Sequence, residues 1–502
     1  MSNRASFSSP ERISYQLVIS RLDGNRIREN TYRQSMIDLT NKGIGGFIVF
    51  GGEKNEVRSF IQQLQSFADT PLLIASDIER GVGQQVKNTT IFPSQMAVAA
   101  AIDKYRPKDV ALLEQVLKAI SNEAKNVGIN MPLTPVLDVN QNPENPIICT
   151  RAFSDDPEVV TWFGTRYIRV LEAEGLVSCA KHFPGHGDTS VDSHISLPVL
   201  TKSLKELMDV DVMPFQHAIR TGVSSIMIGH LSIPSIDARP ASVSKEIITG
   251  LLRSRLGFNG LIITDALNMS ALREIKDLSS ECVNAGADIL LHPADVGVTV
   301  KELSSALRSG GIDRNALDVS LNRILKIKER LIPNTITEID HVEHQRLSSQ
   351  LFEKSITMVK NTEGILPIGK SSQIQLIFAG DEKYFDESPL KKYFKNASPI
   401  SKTISVQNKL VVFSVFTSIS AWRGSSGIEN TEKHRIDSLI RQAKHSVMLS
   451  FGSPYLLNDF QHADVLIAAY DVAEEAQNAA IRCLKGDVDF KGHAPVTLRF
   501  QS

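Results

Sequence analysis

Eight short apolar, β-rich runs recur through the first two thirds of the chain, each separated from the next by a longer segment of helical period. They lie near residues 16–20, 46–51, 71–76, 131–138, 177–181, 225–229, 261–264 and 288–291. Several lack the polar alternation of a half-exposed strand, as expected for strands covered on both faces. Such alternation is the mark of βα units around a parallel sheet. Eight units in about 330 residues predict a (β/α)8 TIM-type barrel with insertions. The first run is ambiguous, because ISYQLVIS reads equally as helix.

With 502 residues, the chain exceeds one barrel. A helical segment at 321–331, rich in Lys and Arg, is followed by Pro333 in PNTITEID, a polar stretch that predicts a linker over 333–345. The expected domains are therefore 1–332 and 346–502. In the second, strands are predicted at 375–379, 409–415, 446–450 and 464–469, with helices at 432–444 and 474–484, giving a smaller layered α/β domain. Charge is balanced, at 55 Lys+Arg against 56 Asp+Glu, with no basic block to engage nucleic acid or a membrane surface. The opening MSNRASFSSPER has no apolar h-region, and no later run reaches the roughly 18 apolar residues of a membrane span. Cys149, Cys179, Cys282 and Cys483 are far apart, with no CxxC pair. A soluble cytoplasmic protein with reduced thiols is the expectation.

Active sites of such barrels lie at the C-terminal ends of the strands. Asp77 and Glu79 follow the third run, Arg151 lies beyond the fourth, Lys181 and His182 end the fifth, His230 ends the sixth and Asp265 ends the seventh. Charged and imidazole groups at so many strand ends would destabilise a purely structural rim unless a ligand used them. Taken singly, each has a blander account. Asp265 would serve as a helix N-cap, Arg151 would pair with Asp155 or Asp156, and His230 would be a satisfied core histidine. Lys181 also fits a Schiff-base lysine, but no phosphate grip or apolar pocket accompanies it.

The densest stretch is KHFPGHGDTSVDSH at 181–194. His182, His186, Asp188, Asp192 and His194 are all acceptable metal ligands. Yet Gly185 and Gly187 bracket His186 and suggest a turn, with no helical i, i+4 pair. The favoured alternative is a histidine tuned by a carboxylate. In Asp192-Ser193-His194 the i, i+2 spacing puts both side chains on one side of an extended segment. An aspartate bonded to one ring nitrogen leaves the other free to pass a proton.

This stretch, with Leu197-Pro198 after it, resembles the signature of the β-N-acetylglucosaminidases of glycoside hydrolase family 3. PVLDVNQNPENPIICTRAFSDDP, IMIGHLSIPSID, PASVSKEIITGLLRSRLGFNGLIITDALNM and NAGADILL are similar to the family's barrel, in order. SITMVKNTEGILPI, FGSPYLL and PVTL resemble the αβα-sandwich domain of its longer members. The resemblance implies that Asp265 is the nucleophile and that His194, paired with Asp192, is the general acid/base. It further implies that Asp77, Arg151, Lys181 and His182 bind the sugar, and His230 joins them from its strand end. A His–Asp dyad would replace the second carboxyl of most retaining glycosidases. A neutral imidazole approaches the glycosyl ester of Asp265 without the repulsion of a second anion.

Two departures from the pattern stand out. The family's DxEGGxVxR stretch is here Asp77-Ile78-Glu79-Arg80-Gly81-Val82-Gly83-Gln84-Gln85, with glutamine where arginine often ends it, and Thr150 precedes Arg151 where many relatives have Asp. The expectation is a retaining exo-β-N-acetylglucosaminidase without metal or organic cofactor, acting on wall-derived oligosaccharides or muropeptides. A family 3 β-glucosidase, a phosphorylase acting on GlcNAc, a metal-dependent barrel hydrolase and a non-catalytic sugar-binding protein are the alternatives.

Overall fold

The computed structural model describes residues 9–331, 338–362, 364–369, 374–419 and 423–499. The ambiguous first run satisfies both of its readings in succession. Ser9 accepts the Arg12 N–H and Pro10 occupies the first turn, so a helix forms over Pro10–Gln16. The chain then turns at Leu17 into β1, Val18–Asp23.

The other seven runs also form strands. They are β2 Gly46–Phe50, β3 Leu73–Ser76, β4 Met131–Pro132, β5 Cys179–Phe183 and β6 Ser225–Ile228. A short antiparallel hairpin follows, β7 Ser232–Ile233 with β8 Asp237–Pro240. The last two are β9 Leu261–Thr264 and β10 Leu290–Leu291. Parallel pairing runs β10-β1-β2-β3-β4 in one sheet and β5-β6-β9 in another. Parallel bridges Val136–Lys181 and Ile263–Ile289 join the two sheets, so the eight barrel strands close into a ring with two narrow seams. Strand residues such as Ile19, Phe47, Ile74, Ile226 and Ile262 are fully buried. Each is worth about 1.5–3 kcal/mol relative to exposure.

Between the strands run helices including Asn30–Asn41, Lys54–Phe67, Pro157–Ala173, Met213–Thr221, Leu278–Ala285 and Val296–Ser309. The last of these starts where Asp295 accepts the Val298 N–H. A π-type helix, Glu246–Arg255, occupies the connection before β9. Every barrel strand therefore delivers its C-terminal end to one rim.

Contacts divide the chain differently from the sequence expectation. One unit comprises Met1–Ile91, Val116–Val139 and Pro157–His341, and the other Phe92–Gln115, Asn140–Asp156 and Val342–Ser502. Two stretches expected in the barrel thus pack with the second unit. The reason is burial: Met96, Ala97, Ala100 and Cys149 join an apolar cluster with Phe413, Val415 and Ile440. Of the expected linker, 333–337 lie outside the described residues.

The second unit is a six-stranded sheet. Its strands are β11 Thr357–Asn361, β12 Ile374–Gly380, β13 Ala397–Pro399, β14 Leu410–Thr417, β15 His445–Gly452 and β16 Val465–Ala468, in the order β11-β16-β15-β14-β12-β13. All pairs are parallel except β11 with β16. Along β14, Val411, Phe413 and Val415 enter one apolar cluster while Val412 and Phe416 enter another. That period of two shows a sheet covered on both faces, as an αβα sandwich requires.

Candidate active site

Lys181, on β5, is 1% exposed, and its Nζ lies 2.7 Å from both Asp77 Oδ1 and Glu79 Oε1. A buried ammonium requires such counter-charges. Flanked by two carboxylates it is held as a charged donor, the reverse of the desolvated amine that a Schiff-base lysine needs.

His182, the next residue, is fixed by a group that the strand-end reading left out. Asp138, fully buried beyond β4, has Oδ2 2.7 Å from His182 Nδ1, and its Oδ1 accepts the backbone N–H groups of His182 at 3.2 Å and His186 at 2.7 Å. Burial alone would raise the Asp138 pKa, but His182, His186 and the His186 N–H bring it below the ordinary value. The predicted run 131–138 ended on this residue, so the same rule that found Asp77 would have found it. Glu79 was noted at a strand end, yet its part in holding Lys181 required the fold.

The two glycines after His182 allow close approach. A Cβ on Gly185, whose φ is +131°, would meet the Asp211 side chain at 2.6 Å, and one on Gly187 would meet Val139 O at 1.9 Å. His186 turns inward between them and its Nδ1 lies 2.8 Å from Thr189 Oγ1. Burial lowers its pKa to about 4, which keeps the ring neutral.

Asp192 and His194 meet as expected, by a different route. His194 Nδ1 is 2.8 Å from Asp192 Oδ1, with Asp192 buried and His194 partly exposed. The segment is not extended. Asp192 heads a turn in which its side chain accepts the His194 N–H at 2.9 Å and its carbonyl accepts those of Ile195 and Ser196. An aspartate side chain that bonds two residues ahead favours such turns. Ser193 Oγ lies 4.0 Å from Met269 Sδ, which ties the dyad's loop to the loop after β9.

Asp265 opens that loop, directly after β9. Its N–H donates to Ile228 O at 2.9 Å, and its Oδ1 accepts the Ala266 N–H at 2.7 Å. No helix starts here, since the next regular elements are Ser270–Leu272 and Leu278–Ala285, so the N-cap account of this residue fails. Burial would raise its pKa, but His182, His230, the Ala266 N–H and His194 outweigh it and hold the carboxyl at about 2. The group is an anion over any working pH, with imidazoles around it.

His230 departs from the expectation that it binds the sugar. It is fully buried, with Nδ1 2.9 Å from Ser242 Oγ and Nε2 3.1 Å from Ala266 O. Both ring nitrogens are engaged within the protein, so the histidine supports the Asp265 loop. Arg151 closes the 3-10 turn Cys149–Arg151 in the stretch that belongs to the second unit, and its Nη1 donates to Ile147 O at 3.1 Å. Among the described residues, no three His, Cys, Asp or Glu side chains are grouped to hold a metal ion. Of the five candidate ligands of 182–194, His182 meets Asp138, His186 meets Thr189, Asp188 meets Lys202, and Asp192 and His194 meet each other. No helix among the described residues is long and apolar enough to cross a membrane.

The site is thus an anionic carboxylate among imidazoles, a carboxylate-bound histidine on an adjoining loop, and a buried lysine between two acids. That set can attack an electrophilic carbon, move a proton and grip hydroxyls. Comparison with known proteins agrees. The beta-hexosaminidase A of Pseudoalteromonas piscicida is 29% identical, over 92% of this chain and 90% of its own length. A beta-N-acetylglucosaminidase/beta-glucosidase of Cellulomonas fimi is 28% identical, over 90% and 88%. Among solved structures, a glycoside hydrolase family 3 beta-N-acetylglucosaminidase from Paenibacillus sp. str. FPU-7 superposes with a TM-score of 0.83 at 26% identity, over 98% of this chain and 99% of that one. A beta-glucoside phosphorylase does so with a TM-score of 0.87 at 25% identity, over 98% and 95%. Residues 14–327 match the model of the glycosyl hydrolase family 3 N terminal domain, and the chain belongs to that family of glycoside hydrolases.

Proposed function

We propose that the protein is a retaining exo-β-N-acetylglucosaminidase acting through a glycosyl ester of Asp265. The observation that carries this reading is the 2.8 Å pairing of His194 with Asp192 on a loop joined to that of Asp265. In the first step Asp265 attacks C1 while protonated His194 gives its Nε2 proton to the leaving oxygen. His194 is left neutral, its Nδ1–H directed at Asp192. In the second step Nε2 takes a proton from the incoming water, which attacks C1 and releases Asp265. Asp192 holds the tautomer and stabilises the imidazolium, as the carboxylate of a Ser-His-Asp triad does.

Lys181, Asp77 and His182 bind the sugar's hydroxyls and acetamido group in this reading. Asp138 orients His182, and His230 supports the nucleophile's loop. The hexosaminidases among the relatives support an acetamido sugar, and a wall-derived oligosaccharide or muropeptide is the substrate class proposed. Comparing kcat/KM on aryl N-acetylglucosaminide and aryl glucoside tests the substrate. The acetamido sugar is expected to be preferred by tenfold or more, and dominant glucoside activity overturns the reading.

A second reading, transfer to phosphate in place of water, is favoured by the same dyad, since an imidazole does not repel an anionic acceptor. The phosphorylase among the structural neighbours supports it. Formation of a sugar 1-phosphate in phosphate buffer is its test.

A further inference from the structure

The barrel residues given roles so far come from β3 to β6 and β9, the third to seventh strands of the ring. The sector made by β10, β1 and β2 has none. There Arg21 pairs with Ile48 and Asp23 with Phe50, and Ile48 pairs in turn with Ala75 of β3. Paired residues share a face of a sheet, as do alternate ones. Arg21, Asp23 and Phe50 therefore stand on the face of Ala75, which Asp77 continues two residues later.

His292 leaves β10 directly after Leu291, at the same rim. Its N–H donates to Ile19 O at 2.8 Å, and its φ of +46° is left-handed, uncommon outside glycine and concentrated at functional sites. The imidazole centroid lies 6.0 Å from that of Phe50 at a 44° tilt, and the Arg21 guanidinium stands 5.0 Å from the centre of the same ring. Neither Phe50 nor His292 is fully buried. Burial and Arg21 lower the His292 pKa while Asp77 and Asp265 act against them, so the ring lies within electrostatic reach of both carboxylates.

These placements constrain a sugar. In the reading proposed above, a pyranose across the barrel axis has C1 at Asp265 on the seventh strand. Its acetamido and hydroxyl edge faces Lys181, His182 and Asp77 on the fifth and third. The remaining edge, with the ring oxygen and the C6 hydroxymethyl group, must face β10, β1 and β2. We propose that His292, backed by Phe50, is a specificity residue that hydrogen-bonds the 6-hydroxyl of the sugar held at Asp265, while Phe50 covers the C6 methylene. Ligand pockets commonly pair an apolar wall with one placed polar group in this way. The inference rests on the glycosidase reading above and adds the side of the sugar that it left open.

The test compares wild type, His292→Ala and His292→Gln on an aryl glycoside and its 6-deoxy analogue. The sugar is N-acetylglucosamine or glucose, whichever wild type hydrolyses faster. Loss of N-acetylglucosaminide activity in wild type contradicts the substrate reading and leaves this comparison intact on the glucoside pair. His292→Ala is expected to lower kcat/KM about ten- to hundredfold on the parent sugar and less than about twofold on the 6-deoxy analogue. His292→Gln should recover part of the loss. Because the parent-to-deoxy ratio is taken within one variant, any unfolded fraction cancels. An equal loss on both sugars, or none on either, overturns the proposal.

Discussion

A single oxygen of Asp192 serves two purposes, lying 2.8 Å from His194 Nδ1 and accepting the His194 backbone N–H at 2.9 Å. The turn and the dyad are thus one construction. Asp192→Asn keeps an acceptor for the turn and loses the charge behind the imidazole. It is expected to lower kcat by about 10²–10⁴ on substrates with poor leaving groups and far less on dinitrophenyl glycosides, which need no proton. Rates across a series of aryl leaving groups measure this as a steeper dependence on leaving-group pKa, and an unchanged slope would count against the dyad.

Lys181 is buried between Asp77 and Glu79, and Glu79 is itself 4% exposed. Lys181→Met leaves two like charges facing each other, one of them sealed from water. Breaking such a buried pair costs about 3–5 kcal/mol, although Asp77, at 29% exposure, relieves part of it. A lower midpoint in urea is expected together with a raised KM. Adding Glu79→Gln should restore stability without restoring KM. A single variant as stable as wild type would show that the cluster is not the tightly coupled unit described.

The parts of this site that the sequence displayed are those held by neighbours along the chain. The dyad spans three residues, and each barrel strand is one contiguous apolar run, so both were legible. Asp138 stands at the end of a predicted run, but its role was hidden because its partners, His182 and His186, lie 44 and 48 residues further on. The same holds for the Lys181–Asp77 pair, 104 residues apart, whose members were found only by their strand ends. That 92–115 and 140–156 pack with the second unit was not legible, because hydrophobic period reports that a segment is buried, not which core receives it. β11 was missed as an antiparallel edge strand whose outer residues, such as Lys360 and Asn361, are exposed. The extended reading of 192–194 failed because an Asx turn competes with extension through a hydrogen bond that no periodicity encodes.

Asp211 sets a pH dependence of stability beside the dyad's loop. Its Oδ2 is 2.8 Å from Lys202 Nζ, which also lies 3.1 Å from Asp188, while the buried Oδ1 has no hydrogen-bond partner. Burial, only partly offset by Lys202, raises its pKa from 3.8 to about 6. Between those values the native state holds a proton that the unfolded chain has lost, so this group's contribution to stability falls as pH rises through the window. The cost is complete above pH 6 and amounts to at most about 3 kcal/mol. Asp211→Asn is therefore expected to gain on wild type between pH 4.5 and pH 7.5 in urea unfolding. A constant difference across that range would contradict the assignment.

The division of labour between Asp265 and His194 meets its most direct test in His194→Ala acting on 2,4-dinitrophenyl N-acetylglucosaminide with added azide. Glycosylation needs no acid with this leaving group, while deglycosylation lacks its base. A rapid burst of dinitrophenolate should precede a slow steady state. Azide should raise the steady rate at least tenfold and yield the β-glycosyl azide, with Asp265→Asn inactive under the same conditions. Wild-type turnover in His194→Ala, or a slow variant indifferent to azide, would contradict the mechanism.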